Sequence, residues 1–379
     1  MKTSSVSTLS RRSTLVALGG LALLSACGRT EPSAGGAGLK DLRGRPVRPL
    51  GDGGKLSIDD GRYLIALSLI HPDPVSLLAA WSGDINRIGP EMYAGFVEKF
   101  PTLASVPKIA QSGQAFNAEA VLAARPSTAV VSLDSGPSDE QAAQLEGAGI
   151  SVAFIDFFAH PFENQARSLA LLGGLIGRSE QAEAFNAFKK TRLDHISQRV
   201  ATIPQDQRPT VFLEPHAMIN PDCCASPGKG NIGDYIAFVG GRNIGADVLD
   251  QPTGKLNLEY VIQRDPDVYI VTGGPHLAKA GGFVVGPGFT PEQSQVGLRR
   301  VAGRRGISTL KAVREGRTHG LSHQLINSPI DVVAVEVLAK WIHPELFGDL
   351  NPRATLDEIN ARFLAVPYRG DYWADLKTA

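Results

Sequence analysis

Only three cysteines stand in the 379 residues of the chain, and two of them, Cys223 and Cys224, are neighbours. An adjacent pair closes no long loop, which excludes the disulfide framework that holds small secreted domains together. The pair is either free or joined in a vicinal ring, and without a second Cys pair or a matching His spacing it gives no support to a zinc site. Net charge is missing as well: 38 Lys+Arg balance 38 Asp+Glu, which removes the general electrostatic case for a nucleic-acid partner. No apolar run approaches the roughly 20 residues of a membrane-crossing helix. Catalytic signatures are also lacking. No G-x-G-x-x-G opens a helix after the first strand, G-x-S-x-G is absent, and "SPGKGN" lacks both the spacing of a P-loop and the Ser/Thr after its lysine. No His or carboxylate spacing marks a catalytic metal site.

What is present is an ordinary folded composition, 43% apolar and 20% charged. Its length exceeds the roughly 250–300 residues at which single cores stop growing, so two domains are expected. Residues 1–26 carry Arg11 and Arg12 ahead of an apolar run from Leu15 to Leu24, the pattern of an export signal. "SRRSTL" resembles a twin-arginine signal, with Thr14 where a bulkier apolar residue is usual. "LSAC" resembles a bacterial lipobox, which implies acylation of Cys27; the alternative is a soluble secretory signal with an incidental Cys. Residues 27–60, rich in Gly, Pro and Arg, read as a tether and lead-in.

From residue 61 to 161, strand candidates "YLIALSL", "TAVVSL" and "VAFIDF" alternate with helical stretches, which argues a parallel sheet. Residues 162–203 switch to a sustained helical period. Gly173, Gly174 and Gly177 leave open whether this is one long helix or two abutting ones. The strand-helix rhythm returns over 204–379, so the fold class is α/β with two lobes and a helical spacer.

One element occurs twice. "NAEAVLAARPSTAVV" at 117–131 and "NLEYVIQRDPDVYIV" at 257–271 share an Asn, a Glu two residues on, a helical turn, a proline and a β-branched run. Asn117 and Asn257 suit helix N-caps, and Glu119 and Glu259 fall in the first turn, where the macrodipole favours a carboxylate by roughly 0.3–1 kcal/mol. The glutamates are 140 positions apart, a spacing that fits a duplicated lobe rather than a solenoid.

These repeats, with "FVGGRNIG", "GISTLKAVREGR" and "AKWIHPELF", resemble the class III substrate-binding proteins of ABC importers, which carry ferric siderophores, haem and cobalamin. The resemblance runs from about Gly61 to Phe347. It implies two Rossmann-like lobes joined by a rigid helical linker with a ligand cleft between them, and little hinge motion. It also implies docking of Glu119 and Glu259 to an ABC permease dimer with its ATPase, no catalysis, no resident cofactor or metal, and an Fe(III)-siderophore complex as ligand. Haem or cobalamin is the alternative, and a zinc or manganese protein or an enzyme are further rivals. The expected location is the periplasm or cell surface, on a lipid anchor at the membrane.

In open α/β sheets ligands bind beyond the carboxyl ends of the strands. Those ends offer His71, Asp134, Ser135, Phe158, His160, His216, Met218, His276, His323, Gln324 and Asn327. Chosen as ligand-binding are His71, Phe158, His216, His276, His323 and Gln324, with Trp81 and Tyr93 as aromatic wall. Lys229 joins them beside Asn231 at a helix start suited to an anion. The alternatives are structural histidines and a plain turn. The cluster Arg299, Arg300, Arg304 and Arg305 is either a solvated face or a set of cleft cations.

Overall fold

The computed structural model describes residues 38–109, 114–219 and 223–377. Residues 1–26, expected to be an export signal, and Cys27 lie outside these residues. Four parallel strands build the N-terminal sheet: β1 (Leu56–Ile58), β2 (Leu78–Trp81), β3 (Thr128–Ser132) and β4 (Ser151–Ile155), in the order β2-β1-β3-β4. The second sheet uses β5 (Thr210–Glu214), β7 (Arg242–Asn243), β9 (Val268–Gly273), β10 (Thr318–Ser322) and β11 (Trp373–Asp375). Its order is β11-β10-β9-β5-β7, with only β11 antiparallel. Strands β6 (Ala225–Pro227) and β8 (Thr253–Lys255) form a small antiparallel ribbon.

Alternation along the buried strands separates the cores. In β3 and β4, Val130, Ala153 and Ile155 face the large core, whereas Ala129, Val131, Val152 and Phe154 face the opposite side of the sheet. In β5 and β9, Val211, Leu213, Val268 and Ile270 point to the same large core, and Phe212, Tyr269 and Val271 point away. Period-two alternation with both faces covered is what a parallel sheet under helices requires. The large core is shared by both lobes and by the spacer, through Leu169, Leu172, Phe185 and Ile196.

The stretch "YLIALSL" is not a strand. It lies in the helix Arg62–Ser68, all seven of whose residues are buried. A helix buried on every face has no polar stripe, so periodicity does not separate it from a buried strand. The true first strand is the three-residue β1, inside the stretch read as lead-in; it is too short to register as a strand in the sequence.

The spacer is two helices, Pro161–Leu175 and Ser179–Val200. Gly177, at φ +68°, makes the break, in the left-handed region that glycine occupies without penalty. Gly173 stays helical because the second helix passes against it: a Cβ there would stand 2.6 Å from Ala182 Cβ. A buried polar knot then fixes the spacer. Lys189 pairs with Asp331 and hydrogen-bonds Gln165, while Gln165 Nε2 and Tyr235 Oη donate to Asp331 Oδ2 at 2.9 and 2.6 Å.

The duplicated element has the same local form in both lobes. Helix Ala118–Ala124 is capped by Asn117, whose Oδ1 accepts from Ala120 N at 3.0 Å. Helix Leu258–Arg264 is capped by Asn257, whose Oδ1 accepts from Glu259 N at 2.9 Å. Each ends on a left-handed residue before proline, Arg125 at φ 51° and Asp265 at φ 40°, and each feeds a central strand. Glu119 and Glu259 are both exposed.

Candidate functional site: a cleft at the strand ends

A cavity of about 470 Å³ opens where the carboxyl ends of both sheets meet, within the roughly 300–1,000 Å³ typical of small-molecule sites. The N-terminal side supplies Arg62, Tyr63, Arg87, Asp134 and Phe158. The other side supplies His216 after β5, His276 after β9, and His323 and Gln324 after β10.

The N-terminal face is organised on Asp60. Its carboxylate accepts from Arg62 N, Nε and Nη2 at 2.9, 2.9 and 2.6 Å and pairs with Arg87. Burial alone would raise this carboxyl, but the charge and hydrogen bonds of Arg62, reinforced by Arg87, hold it down to about 2. The Arg62 guanidinium lies 3.3 Å over the Phe158 ring, a cation–π contact. Asp156 is occupied internally: it accepts from the amides of Phe158 and Ala159 at 2.8 Å and of His160 at 3.0 Å. Behind the wall, Tyr63 Oη and Ser132 Oγ are 2.9 Å apart, and Ser132 donates to Asp59 through N and Oγ at 2.8 and 3.0 Å. Burial pushes the Asp59 carboxyl up to about 7 in spite of those bonds.

The opposite face is a cluster of three imidazoles. His216 Nδ1 lies 2.9 Å from His276 Nε2, and the His216 and His323 ring centres are 3.8 Å apart. His276 Nδ1 is 2.8 Å from Gln324 Nε2, and His323 Nδ1 is 3.0 Å from Thr272 Oγ1. Burial lowers all three; with the neighbouring His216 it takes His276 down to about 4. At neutral pH the cluster is uncharged.

Of the residues chosen from the sequence, Phe158, His216, His276, His323 and Gln324 line the cavity, together with Asp134, Ser135, Asn231 and Asn327. Four others do not. His71 follows a helix rather than a strand, and its Nδ1 accepts from Asp73 N at 3.1 Å. Trp81 is fully buried within β2, and Tyr93 stacks on it with centres 5.9 Å apart. Lys229 is exposed and ion-paired with Asp250 at 2.7 Å. The arginine cluster does not reach the cleft either. Arg304 is bonded to Glu214 and Tyr269, Arg300 to the Gly281 carbonyl, and Arg299 and Arg305 are exposed. Arg62 and Arg87 were not anticipated. The signal for Arg62 is the stretch Asp59-Asp60-Gly61-Arg62, three charges in four residues directly before an apolar stretch; Arg87 carries no comparable signal. Cys223 and Cys224 are joined in a disulfide, and among the described residues no group of His, Cys, Asp and Glu is arranged as a metal site.

The sequence profile of the family described as periplasmic binding protein matches residues 68–325. The chain belongs to this family. This periplasmic binding protein is 24% identical over 238 residues to a Bacillus subtilis protein named as an uncharacterized ABC transporter substrate-binding lipoprotein, covering 62% of this chain and 67% of that one. A TroA-like periplasmic binding protein, FepB, from Veillonella parvula superposes with a TM-score of 0.79 at 26% identity, over 89% of this chain and 99% of that one. A periplasmic heme-binding protein from Pseudomonas aeruginosa shares the fold at TM-score 0.53 and 20% identity, over 77% and 93% of the two chains. The protein is therefore a substrate-binding component of the class III ABC-importer type and not an enzyme.

Proposed function

We propose that this periplasmic binding protein captures a ferric siderophore-type chelate and presents it to an ABC permease dimer with its ATPase. The observation that carries the reading is the asymmetry of the cleft. Two guanidiniums, Arg62 and Arg87, face three uncharged imidazoles across a space of about 470 Å³. Guanidinium groups recognise carboxylate, catecholate or hydroxamate oxygens through directed N–H donors, and Phe158 and Tyr63 offer apolar contact to the organic part of such a ligand.

Presentation uses Glu119 and Glu259. Two equivalent acids on two copies of one element match a symmetric permease, and bidentate Arg–carboxylate contacts give position as well as attraction. A lipid on Cys27 holds the mature protein at the membrane; the lipoprotein named in Bacillus subtilis supports this. Haem is the second reading, favoured by His216 and His323, whose ring centres are 3.8 Å apart, in a cavity that Phe158 and Tyr63 also line.

The test is to titrate the purified protein with ferric tris-catecholate and tris-hydroxamate complexes, haemin and cobalamin, reading tryptophan fluorescence and visible absorbance. Saturable binding of a ferric chelate is expected. Retention of haemin alone, with a Soret shift lost in His323→Ala, overturns the siderophore reading.

A further inference from the structure

A second cavity, of about 560 Å³, shares no residue with the cleft. Three segments build it. Helix Pro90–Lys99 carries Glu91 and Glu98 about two turns apart on one face. The chain from Val366 to Tyr372 runs beside that face and brings Arg369 and the Tyr372 ring. Pro287 closes the remaining side. It lies close because Gly370, at φ +115°, has no side chain: a Cβ there would stand 3.1 Å from Pro287 Cα. Met92 and Val366, both buried, make the apolar floor.

The cavity continues inward as a neck of about 10 Å³, also walled by Glu91, Met92, Pro287 and Tyr372, which ends at Gln324 of the cleft. That is about the room of one water. Tyr368 lines the neck, and its Oη is buried with no hydrogen-bond partner. The nearby Ser328 hydroxyl is committed: it donates to Leu325 O at 2.9 Å and accepts from Ile330 N at 3.2 Å. Burial pushes the Tyr368 phenol up, with Ser328 opposing only in part, so the oxygen stays a neutral hydroxyl whose lone pairs are open to a donor in the neck.

The charges around this cavity sort by depth. Glu91 is half-buried, faces both neck and cavity, and has no ion-pair partner among the described residues. The Tyr368 and Tyr372 rings, with centres 5.4 Å apart, stand beside it, and an aromatic face next to a carboxylate suits an ammonium. Glu98, Lys99 and Arg369 are exposed at the mouth, two cations against one anion. Lys99 Nζ donates to Ala365 O at 2.7 Å, which leaves the Arg369 guanidinium as the free donor. The inner end selects a cation and the outer end an anion.

We infer that this cavity is a second ligand site, for a small molecule whose ammonium and carboxylate are separated by a short apolar body, as in a short peptide or an ω-amino acid. The ammonium enters at the neck and donates to Glu91 and to Tyr368 Oη, while the carboxylate meets Arg369 at the mouth. Chelate capture uses other residues, so the two sites stand or fall separately.

Isothermal titration of the purified protein with trialanine, and with ε-aminocaproate as its non-peptide counterpart, tests this. Saturable heat from trialanine is expected. N-acetylation of the peptide, or Glu91→Gln, should weaken binding by at least about tenfold, and C-terminal amidation, or Arg369→Ala, by about tenfold. Tyr368→Phe should weaken it several-fold without lowering the midpoint of unfolding, since the hydroxyl it removes has no partner to lose. Binding of ε-aminocaproate as well extends the class to any separated ammonium and carboxylate, and its failure beside bound trialanine narrows the class to peptides. No saturable binding of either probe, binding indifferent to N-acetylation, or wild-type affinity for trialanine in both Glu91→Gln and Arg369→Ala overturns the second site.

Discussion

Gln324 of the C-terminal lobe hydrogen-bonds the backbone carbonyl of Asn86 in the N-terminal lobe at 3.2 Å, so a single side chain joins the two walls of the cleft and touches the imidazole cluster. Its removal should therefore be felt in binding more than in folding. Gln324→Ala is expected to weaken ferric-chelate affinity about tenfold, the scale of one or two lost polar contacts, as measured by fluorescence titration. An unchanged Kd would separate Gln324 from the site.

Arg87 is the cleft cation best suited to substitution, because its side chain is partly exposed while that of Arg62 is buried against Asp60. Arg87→Ala should cost about tenfold or more in affinity for an anionic chelate, with a loss that shrinks at high salt. Lys229→Ala and His71→Ala, both outside the cavity, should leave affinity unaltered. Equal losses in all three would mean that general charge, not the cleft, governs capture.

Asp59 and His276 make opposite contributions to stability across one pH interval. An acid held at about 7 when folded, against roughly 4 when unfolded, binds its proton more tightly in the fold. Its contribution is full below about pH 4 and lost as pH rises to about 7. A histidine held at about 4, against roughly 6.5 unfolded, contributes fully above about pH 6.5 and loses that contribution as pH falls to about 4. For the fully buried Asp59 this is on the order of 4 kcal/mol; for the partly exposed His276 it is smaller, because solvent screens the shift. Asp59→Asn should leave a protein that weakens on acidification, and His276→Gln one that weakens as pH rises. Denaturant unfolding between about pH 4 and 7.5 checks this, and parallel curves for wild type and both variants would contradict it.

The Lys189–Asp331 pair is buried with side chains 10% and 0% exposed, and Gln165 and Tyr235 share the same carboxylate. Lys189→Met leaves that charge without its partner and should destabilise the protein by roughly 3–5 kcal/mol. The midpoint of guanidinium unfolding reports it. A shift no larger than that of a surface variant would mean that the knot does not hold the spacer.

The parts of the site that the sequence made legible are those at the ends of long β-branched strands. "TVFLEP" and "VYIVTGG" are apolar runs with a polar break, and "RTHGLS" takes its place in the same strand-helix rhythm, so His216, His276, His323 and Gln324 follow from the rule for strand ends. The duplicated caps were equally legible, because Asn, Glu and Pro each have a local mechanism. Arg62 and Arg87 were hidden for physical reasons. β1 has only three residues, the helix after it is buried on every side, and "LAAW" of β2 lacks β-branched residues. Once "YLIALSL" was read as a strand, its supposed end pointed to His71 instead of Arg62. Trp81 and Tyr93 were misplaced because large aromatics suit a core and a ligand wall equally, and only packing separates the two. The contact of Gln324 with Asn86 joins residues 238 positions apart and has no sequence signal.

Reconstituting the permease and ATPase in vesicles, and supplying wild-type protein or the Glu119→Ala, Glu259→Ala double variant loaded with radiolabelled ferric chelate, tests capture and presentation together. The account predicts iron uptake with wild type, none above background with the double variant, and the same Kd for the chelate in both. Uptake at the wild-type rate by the double variant, or a chelate Kd that weakens with its loss of the two acids, would contradict it.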